Sequence, residues 1–381
     1  CARSSYRRTM VIHEEENRVS LSIGEFAQFQ LGPRSDRGRK AGLWRMQLGQ
    51  SWHQQLQRED EATKPGASSE VVIRGTWIEA GWHIHLHGRI DQVERADDAT
   101  LLREIKTLIH PLPLPEADIA NRYPDYLCQL AAYVKLARIL PEYDGKPVRG
   151  ELVLVEIEQG LRQILPLGVT LEAYFDRQME QLCAFLNERR AAAIRRRSLT
   201  HHPAFPEFRP EQERALAQLR EQATRARSLV LEAPTGFGKT GLALQYALEQ
   251  LHDGLFERIV YLTGKSTGQT QVSKQLSRMT PHPDDLRHYV FRNRAEHAIS
   301  SPSHTCDVLS SACLDGIETT WERSGISPAD LWKERQPTLE SVRLLGAANA
   351  LCPYEISRSL LPHADILVGD YNYIFSPWHQ Q

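Results

Sequence analysis

The sequence predicts an α/β chain built as two domains. Three observations lead there. Residues 70–107 contain three runs in which Val, Ile, Trp and Leu alternate with polar residues, as half-buried strands do. Beyond residue 205, short apolar runs alternate with helical segments, the pattern of a parallel doubly wound sheet. Between the two lies a turn-rich segment, His201-His202-Pro203-Ala204-Phe205-Pro206, which reads as a boundary. The length, 381 residues, suits two domains at roughly 100–200 residues each. We therefore expect one domain over residues 1–200 and a second over 201–381.

In the first domain, residues 22–31 and 41–59 have helical character. Strands are expected at 70–79, 82–94 and 99–107, and Pro111, Pro113 and Pro115 make a rigid loop. A helix follows over 118–140, then an apolar strand at Leu152–Val155. A long helix over 170–197 ends in Arg195-Arg196-Arg197. In the second domain, helix 210–226 leads to a strand at Ser228–Glu232, a glycine-bearing turn and helix 239–251. Strand Ile259–Leu262, helix 268–279 and strand Ile366–Val368 complete the pattern. Residues 284–355 are irregular, hold three of the six cysteines and read as an inserted module.

The net charge is −2, with 41% hydrophobic and 25% charged residues. Any nucleic-acid contact must therefore come from local patches, not from an overall positive charge. The cysteines, at 1, 128, 183, 306, 313 and 352, are too few and too uneven for a disulfide scaffold. Cys128 and Cys183 are expected as buried thiols. No apolar run reaches the ~18 residues of a membrane span, and the N-terminus lacks the apolar core of a signal peptide. The expected setting is the cytoplasm. The chain does not begin with Met, and it is expected to be a fragment.

The strongest motif is Ala233-Pro234-Thr235-Gly236-Phe237-Gly238-Lys239-Thr240. A strand, a glycine turn and a helix start would place successive backbone N–H groups around phosphate oxygens, with the helix dipole assisting. Lys239 would reach the β- and γ-phosphates and Thr240 would hold Mg²⁺. ATP is the expected ligand. Ala233 stands where the usual pattern has Gly, a variant common in helicase-type motors. Upstream, Arg209-Pro210-Glu211-Gln212 resembles the superfamily-two element whose Gln reads adenine. Downstream, Tyr261-Leu262-Thr263-Gly264 followed by Gln269 resembles the next motif of that family, which touches the nucleic-acid backbone.

Cys352-Pro353-Tyr354-Glu355 and then Ala364-Asp365-Ile366-Leu367-Val368-Gly369-Asp370-Tyr371-Asn372-Tyr373 resemble the XPD/DinG-type helicases, over roughly residues 205–381. The resemblance implies a partial RecA-like motor domain whose insert, 284–355, carries a [4Fe–4S] cluster. It also implies 5′-to-3′ movement on single-stranded or forked DNA. Cys306, Cys313 and Cys352 are the implied ligands. The family uses four cysteines, and this insert has three. His297 or His304 could supply the fourth ligand, the cluster could be absent, or zinc could take its place. The Asp-Glu-Ala-His box of the family would follow Pro377, so the fragment is expected to bind ATP without hydrolysing it efficiently.

In the first domain, Asp91 would share one strand face with His87 and Arg89, and Glu104 would share one with Lys106 on the next strand. Two carboxylates and a lysine so placed suit a metal-dependent phosphodiesterase. The carboxylates hold Mg²⁺ or Mn²⁺ through hard oxygens, and the metal lowers the pKa of a bound water. Gly88-Arg89-Ile90-Asp91-Gln92-Val93 with Glu104-Ile105-Lys106-Thr107 resembles the RecB-like branch of the PD-(D/E)XK nucleases, over about residues 20–197. Gly49-Gln50-Ser51-Trp52-His53 resembles that branch's Gly-x-x-x-His motif, which implies His53 as a metal ligand. Gln129 and Tyr133, four apart on one helix face, match its Gln-x-x-x-Tyr motif, which contacts DNA. His83, His85 and His87 read as a solvated strand face, with a second metal site as the alternative. The basic run Arg189 to Arg197 reads either as a phosphate contact or as a solvated helix end.

The leading expectation is a DNA-processing nuclease–helicase. The alternatives are a catalytically inactive DNA-binding module joined to a nucleotide-sensing motor fragment, and a protein in which the loop holds ATP as a switch.

Overall fold

The computed structural model describes residues 10–33, 52, 67–96, 98–143, 145–282, 284–301, 304–306, 316–333 and 336–375. It divides into two compact units. One is Cys1–Gln30 with Arg37–Asn187, and the other is Leu31–Asp36 with Glu188–Gln381. The expected helix at 41–59, with His53, and the position of Cys313 lie outside the described residues, except for Trp52, which is helical.

The first unit is built on a seven-stranded mixed sheet. Its strands are β1 (Val11–His13), β2 (Arg18–Ser22), β3 (Ala67–Glu79), β4 (Trp82–Arg95), β5 (Thr100–Leu108), β6 (Val148–Glu156) and β7 (Arg162–Pro166). The three strands expected over 70–107 are all present. β1, β2 and β7 were not anticipated, being too short or too polar to show clear alternation. The helical reading of 22–31 shrinks to α1 (Ile23–Ala27), which a capping box between Ser22 and Glu25 starts.

The expected helix 118–140 is two helices, α2 (Glu116–Arg122) and α3 (Pro124–Ile139). Pro124 explains the break. The residue before a proline is pushed out of helical geometry, and proline itself opens the next helix without losing a bond. Tyr123 accordingly has φ −135° and ψ 49°. α3 buries Leu127, Leu130, Ala131, Val134, Leu136 and Ala137, and with them Cys128 and Tyr133. α4 (Val169–Arg197) is the expected long helix, and its last turns belong to the second unit.

β4 organises the sheet. Along one edge it pairs antiparallel with β3 from Ala67↔Glu94 to Glu79↔Trp82. Its other neighbours divide its length. β2 runs parallel to residues 83–87, and β5 runs antiparallel to residues 92–95. Residues 88–91 fall between these two ladders.

In the second unit, α5 (Pro210–Ala223), α6 (Lys239–His252) and α7 (Ser266–Met279) accompany a parallel sheet of order β8–β10–β9. Its strands are β8 (Ile259–Leu262), β9 (His288–Val290) and β10 (Ile366–Gly369). β9 lies within the range read as an insert. The segment 228–232 is not a strand. A strand exists only through a neighbour's hydrogen bonds, and among the described residues none is supplied. Val230 is 98% exposed. The remaining helices are α8 (Arg294–His297), α9 (Ile317–Ser324), α10 (Leu339–Asn349), α11 (Pro353–Leu360) and α12 (Asn372–Phe375). Leu244, Leu248, Leu251, Val272, Leu276, Ile366 and Val368 form the core under the sheet. Tyr289, Phe291, Trp332, Val342, Leu351 and Ile356 form a second core under the helices that follow β9.

No described helix is long and apolar enough to cross a membrane.

Candidate functional site

The β4–β5 ladder ends at Gln92↔Arg103. The next register position sets Asp91 against Glu104, and there the strands part. The Asp91 carboxylate takes over from the ladder, accepting the Ile105 backbone N–H at 2.7 Å. Glu104 is 2% exposed. Its Oε1 accepts from Lys106 Nζ at 2.7 Å and from Gln129 Nε2 at 2.8 Å. Burial alone would lower the Lys106 pKa, but the charge and hydrogen bond of Glu104, with Asp91 nearby, outweigh it and raise the pKa. Lys106 is therefore a fixed cation.

Tyr133, one turn along α3 from Gln129, closes the gap between the two ladders. Its hydroxyl lies beside the Gln129 side chain and the Arg89 backbone, on the stretch of β4 between the two ladders. Burial is the main cause of its raised pKa, with the negative Glu104 next, so it remains a neutral phenol. Gly88 makes the approach possible, since a Cβ there would stand 2.5 Å from Tyr133 Oη. Thus Asp91, Glu104, Lys106, Gln129 and Tyr133, chosen from the sequence, converge on one place. Two carboxylates on adjacent strands face a single lysine. That charge count and the hard oxygen donors suit a divalent cation such as Mg²⁺ or Mn²⁺.

Sequence reasoning did not find the aromatic pair beside this group. The Tyr123 and Tyr126 rings stack at 5.1 Å and 5°, and Lys106 Nζ lies 5.4 Å from the Tyr126 centroid. Their spacing of three across a helix break gives no motif to recognise. His83 and His87 are exposed and His85 bonds with Thr76 Oγ1 at 2.8 Å, as a solvated strand face would have it. Cys128 and Cys183 are buried thiols, and burial pushes the Cys183 pKa up to about 11.

In the second unit, the glycine-bearing turn leads directly into α6. Gly236 and Gly238 have φ of +82° and +97°, values that favour glycine. Lys239 Nζ donates to the carbonyls of Ala233 and Pro234 at 2.6 and 3.1 Å, so the lysine folds over its own loop. Gln212 lies in the first turn of α5. It is 2% exposed, donates to the Phe237 carbonyl at 2.7 Å and accepts from the Arg209 N–H at 2.9 Å. Thr240 Oγ1 lies 3.4 Å from Tyr261 Oη. Thr235 is exposed at the turn.

The basic run at the end of α4 is engaged internally. Arg195 and Arg196 pair with the buried Asp365 at 3.0 and 3.2 Å, and Arg189 pairs with Glu257 at 2.6 Å. The phosphate-contact reading of these three is therefore replaced by a structural one.

Near the start of α11, one ligand atom each from His304, Cys306 and Cys352 lie within 4.8 Å of one another. These donors fit a thiophilic metal. Burial lowers the His304 pKa, which favours the neutral imidazole that a metal requires. His297, the other imidazole considered, has both nitrogens occupied. Nδ1 donates to the Asn293 carbonyl at 2.8 Å and Nε2 accepts from Ser357 Oγ at 2.7 Å.

Residues 14–265 match the PD-(D/E)XK nuclease superfamily, about two thirds of the chain. Residues 270–381 match the family described as DEAD_2. A solved structure described as the crystal structure of SSO0001 is 16% identical. The match covers 45% of this chain and 79% of that one, with a TM-score of 0.28.

Proposed function

This chain belongs to the PD-(D/E)XK nuclease superfamily, and from that premise we propose that it hydrolyses phosphodiester bonds in DNA with a divalent metal. The observation that carries the reading is the parting of β4 and β5 at Asp91 and Glu104, with Lys106 held on Glu104.

Asp91, Glu104 and, by motif, His53 would hold Mg²⁺ or Mn²⁺. When bound, the ion supplies an activated water and neutralises charge on phosphorus. The protein supplies the rest. Lys106, fixed as a cation, stabilises the negative charge that grows on the phosphate oxygens. Gln129 holds Glu104 in place from α3. Tyr133 packs beside Gln129 and against Gly88, on the stretch of β4 between the β2 and β5 ladders. The stacked Tyr123 and Tyr126 offer a face to an unpaired base, which favours a single-stranded or forked substrate.

The DEAD_2 match beside the nuclease supports a nuclease–helicase kind of function. The loop Ala233–Thr240 would bind the ATP phosphates through its backbone N–H groups, Lys239 and Thr240, with Mg²⁺ on Thr240. Gln212 ties the loop to α5, and by the helicase resemblance it would read adenine. Cys306, Cys313 and Cys352 are the residues expected to hold a metal centre, an iron–sulfur cluster by the helicase resemblance. A DNA-processing role with ATP fits the cytoplasm, the setting this reading includes.

Cleavage of single-stranded and forked DNA with Mg²⁺ or Mn²⁺ is the direct test. The chain should cut and Asp91→Ala should not. Equal cutting by both, or no cutting with any divalent metal, overturns the proposal.

A further inference from the structure

We propose that His304 is a metal ligand, binding through Nε2 to a thiophilic centre that it shares with Cys306 and Cys352. This deepens the metal-centre part of the reading above and rests on it.

The first support is convergence. The imidazole and the two thiols come from separate stretches of chain, yet their ligand atoms lie within 4.8 Å of one another. Around one tetrahedral ion with metal–sulfur bonds of about 2.3 Å and metal–nitrogen bonds of about 2.0 Å, ligand atoms stand roughly 3.5–3.8 Å apart. The trio needs only a small contraction to reach that. The second support is the state of His304 itself. Its Nε2 is buried and has no hydrogen-bond partner among the described residues. A polar atom so left costs free energy, unless something outside the chain satisfies it.

The backbone around the trio is built to hold it. Ser301 Oγ donates to the His304 carbonyl at 2.9 Å and accepts the His304 N–H at 3.1 Å. Ser300 and Thr305 form a β-bridge, and the Cys306 N–H donates to the Ile299 carbonyl at 2.9 Å. His304 and Cys306, two apart across this bridge, leave on the same side. Cys352 stands at the N-cap of α11. The segment carrying it lies so close to α10 that a Cβ at Gly346 would meet the Leu351 carbonyl and Pro353 at 2.7 Å.

Two thiolates and an imidazole are too soft a set for Mg²⁺ and suit zinc or iron. Both metals use the same three donors, and measurement separates them.

The test uses the full chain, purified without oxygen, as wild type, His304→Ala, His304→Cys and His297→Ala. Metal and acid-labile sulfide per chain are measured, with the visible absorption spectrum and a chelator competition. Wild type should hold either zinc without sulfide, or iron with sulfide and a visible band. His304→Ala should release that metal to chelator at least about tenfold more readily. His304→Cys should restore retention, and His297→Ala should match wild type. Equal retention and an unchanged spectrum in His304→Ala would overturn the role of His304 while leaving the centre standing. Wild type without metal would overturn both.

Discussion

The hydroxyl of Tyr133 occupies the place where a side chain at Gly88 would begin: a Cβ there would stand 2.5 Å from Tyr133 Oη and 3.0 Å from Cε1 and Cζ of the ring. The contact follows from the sheet. β2 and β5 share one edge of β4 and leave residues 88–91 without a ladder on that edge, and a tyrosine from α3 fills the opening. Gly88→Ala should therefore push Tyr133 outward or bend β4 beside Asp91. We expect a loss of roughly 1–3 kcal/mol, as for other overpacked cores, and a marked fall in DNA cleavage. Urea unfolding and a cleavage assay read the two effects. Wild-type stability and activity in Gly88→Ala would remove Tyr133 from its assigned position.

Glu104 and Lys106 make a prediction about charge. Glu104 is buried and Lys106 is its cation at 2.7 Å. Lys106→Met keeps the aliphatic stem but leaves the carboxylate without its partner. Breaking one side of a buried pair costs roughly 3–5 kcal/mol. Because the folded pKa of Lys106 is raised, the stability it contributes is fully present below its unfolded value and is lost only as pH rises through the folded value. Denaturant midpoints taken from neutral to alkaline pH should fall in the wild type above the ordinary lysine range. Lys106→Met should be weaker at neutral pH and lack that fall. A cleavage defect without any stability change would make Lys106 purely catalytic.

Much of this was legible in the sequence because it is local. Alternation marked β3, β4 and β5, and the offsets of two and four put Glu104 with Lys106 and Gln129 with Tyr133. What stayed hidden depends on partners distant in sequence. Ser228–Glu232 has the apolar character of a strand, but pairing is a property of a neighbour, and none lies beside it among the described residues. Arg195 and Arg196 read as exposed basic residues until Asp365, about 170 positions away, is seen between them. His297 and His304 are the same residue type in the same insert. Only geometry separates a histidine with both nitrogens hydrogen-bonded from one with a buried nitrogen and two cysteines beside it.

The glycine turn before α6 yields a binding prediction. Lys239 Nζ lies on the Ala233 and Pro234 carbonyls, where it is held over the loop. A phosphate would replace these contacts to neutral carbonyls with contacts between opposite charges, and hydrogen bonds to charged groups are worth about 1.5–3 kcal/mol. Lys239→Ala should thus weaken ATP binding by roughly 10- to 100-fold. Gln212→Ala should weaken it less, by loosening Phe237. Calorimetry with ATP and Mg²⁺ measures both. Unaltered affinity in Lys239→Ala would show that nucleotide does not bind at this loop.

His288 supplies a pH dependence in the second unit. It sits on β9, 5% exposed, with Ser273 Oγ 3.2 Å from Nε2 and, among the described residues, no partner on Nδ1. Burial pulls its pKa from the ordinary 6.5 down to about 4. The unfolded chain therefore takes up a proton below pH 6.5 that the folded chain refuses until about pH 4. Stability is complete above 6.5 and declines through that window, by at most about 3 kcal/mol for this one group. His288→Gln cannot take up a proton in either state, so its loss over the same window should be smaller. Thermal unfolding from pH 7 to pH 4 reads the difference. Parallel wild-type and variant curves would mean that His288 protonates in the folded protein as readily as in the unfolded one.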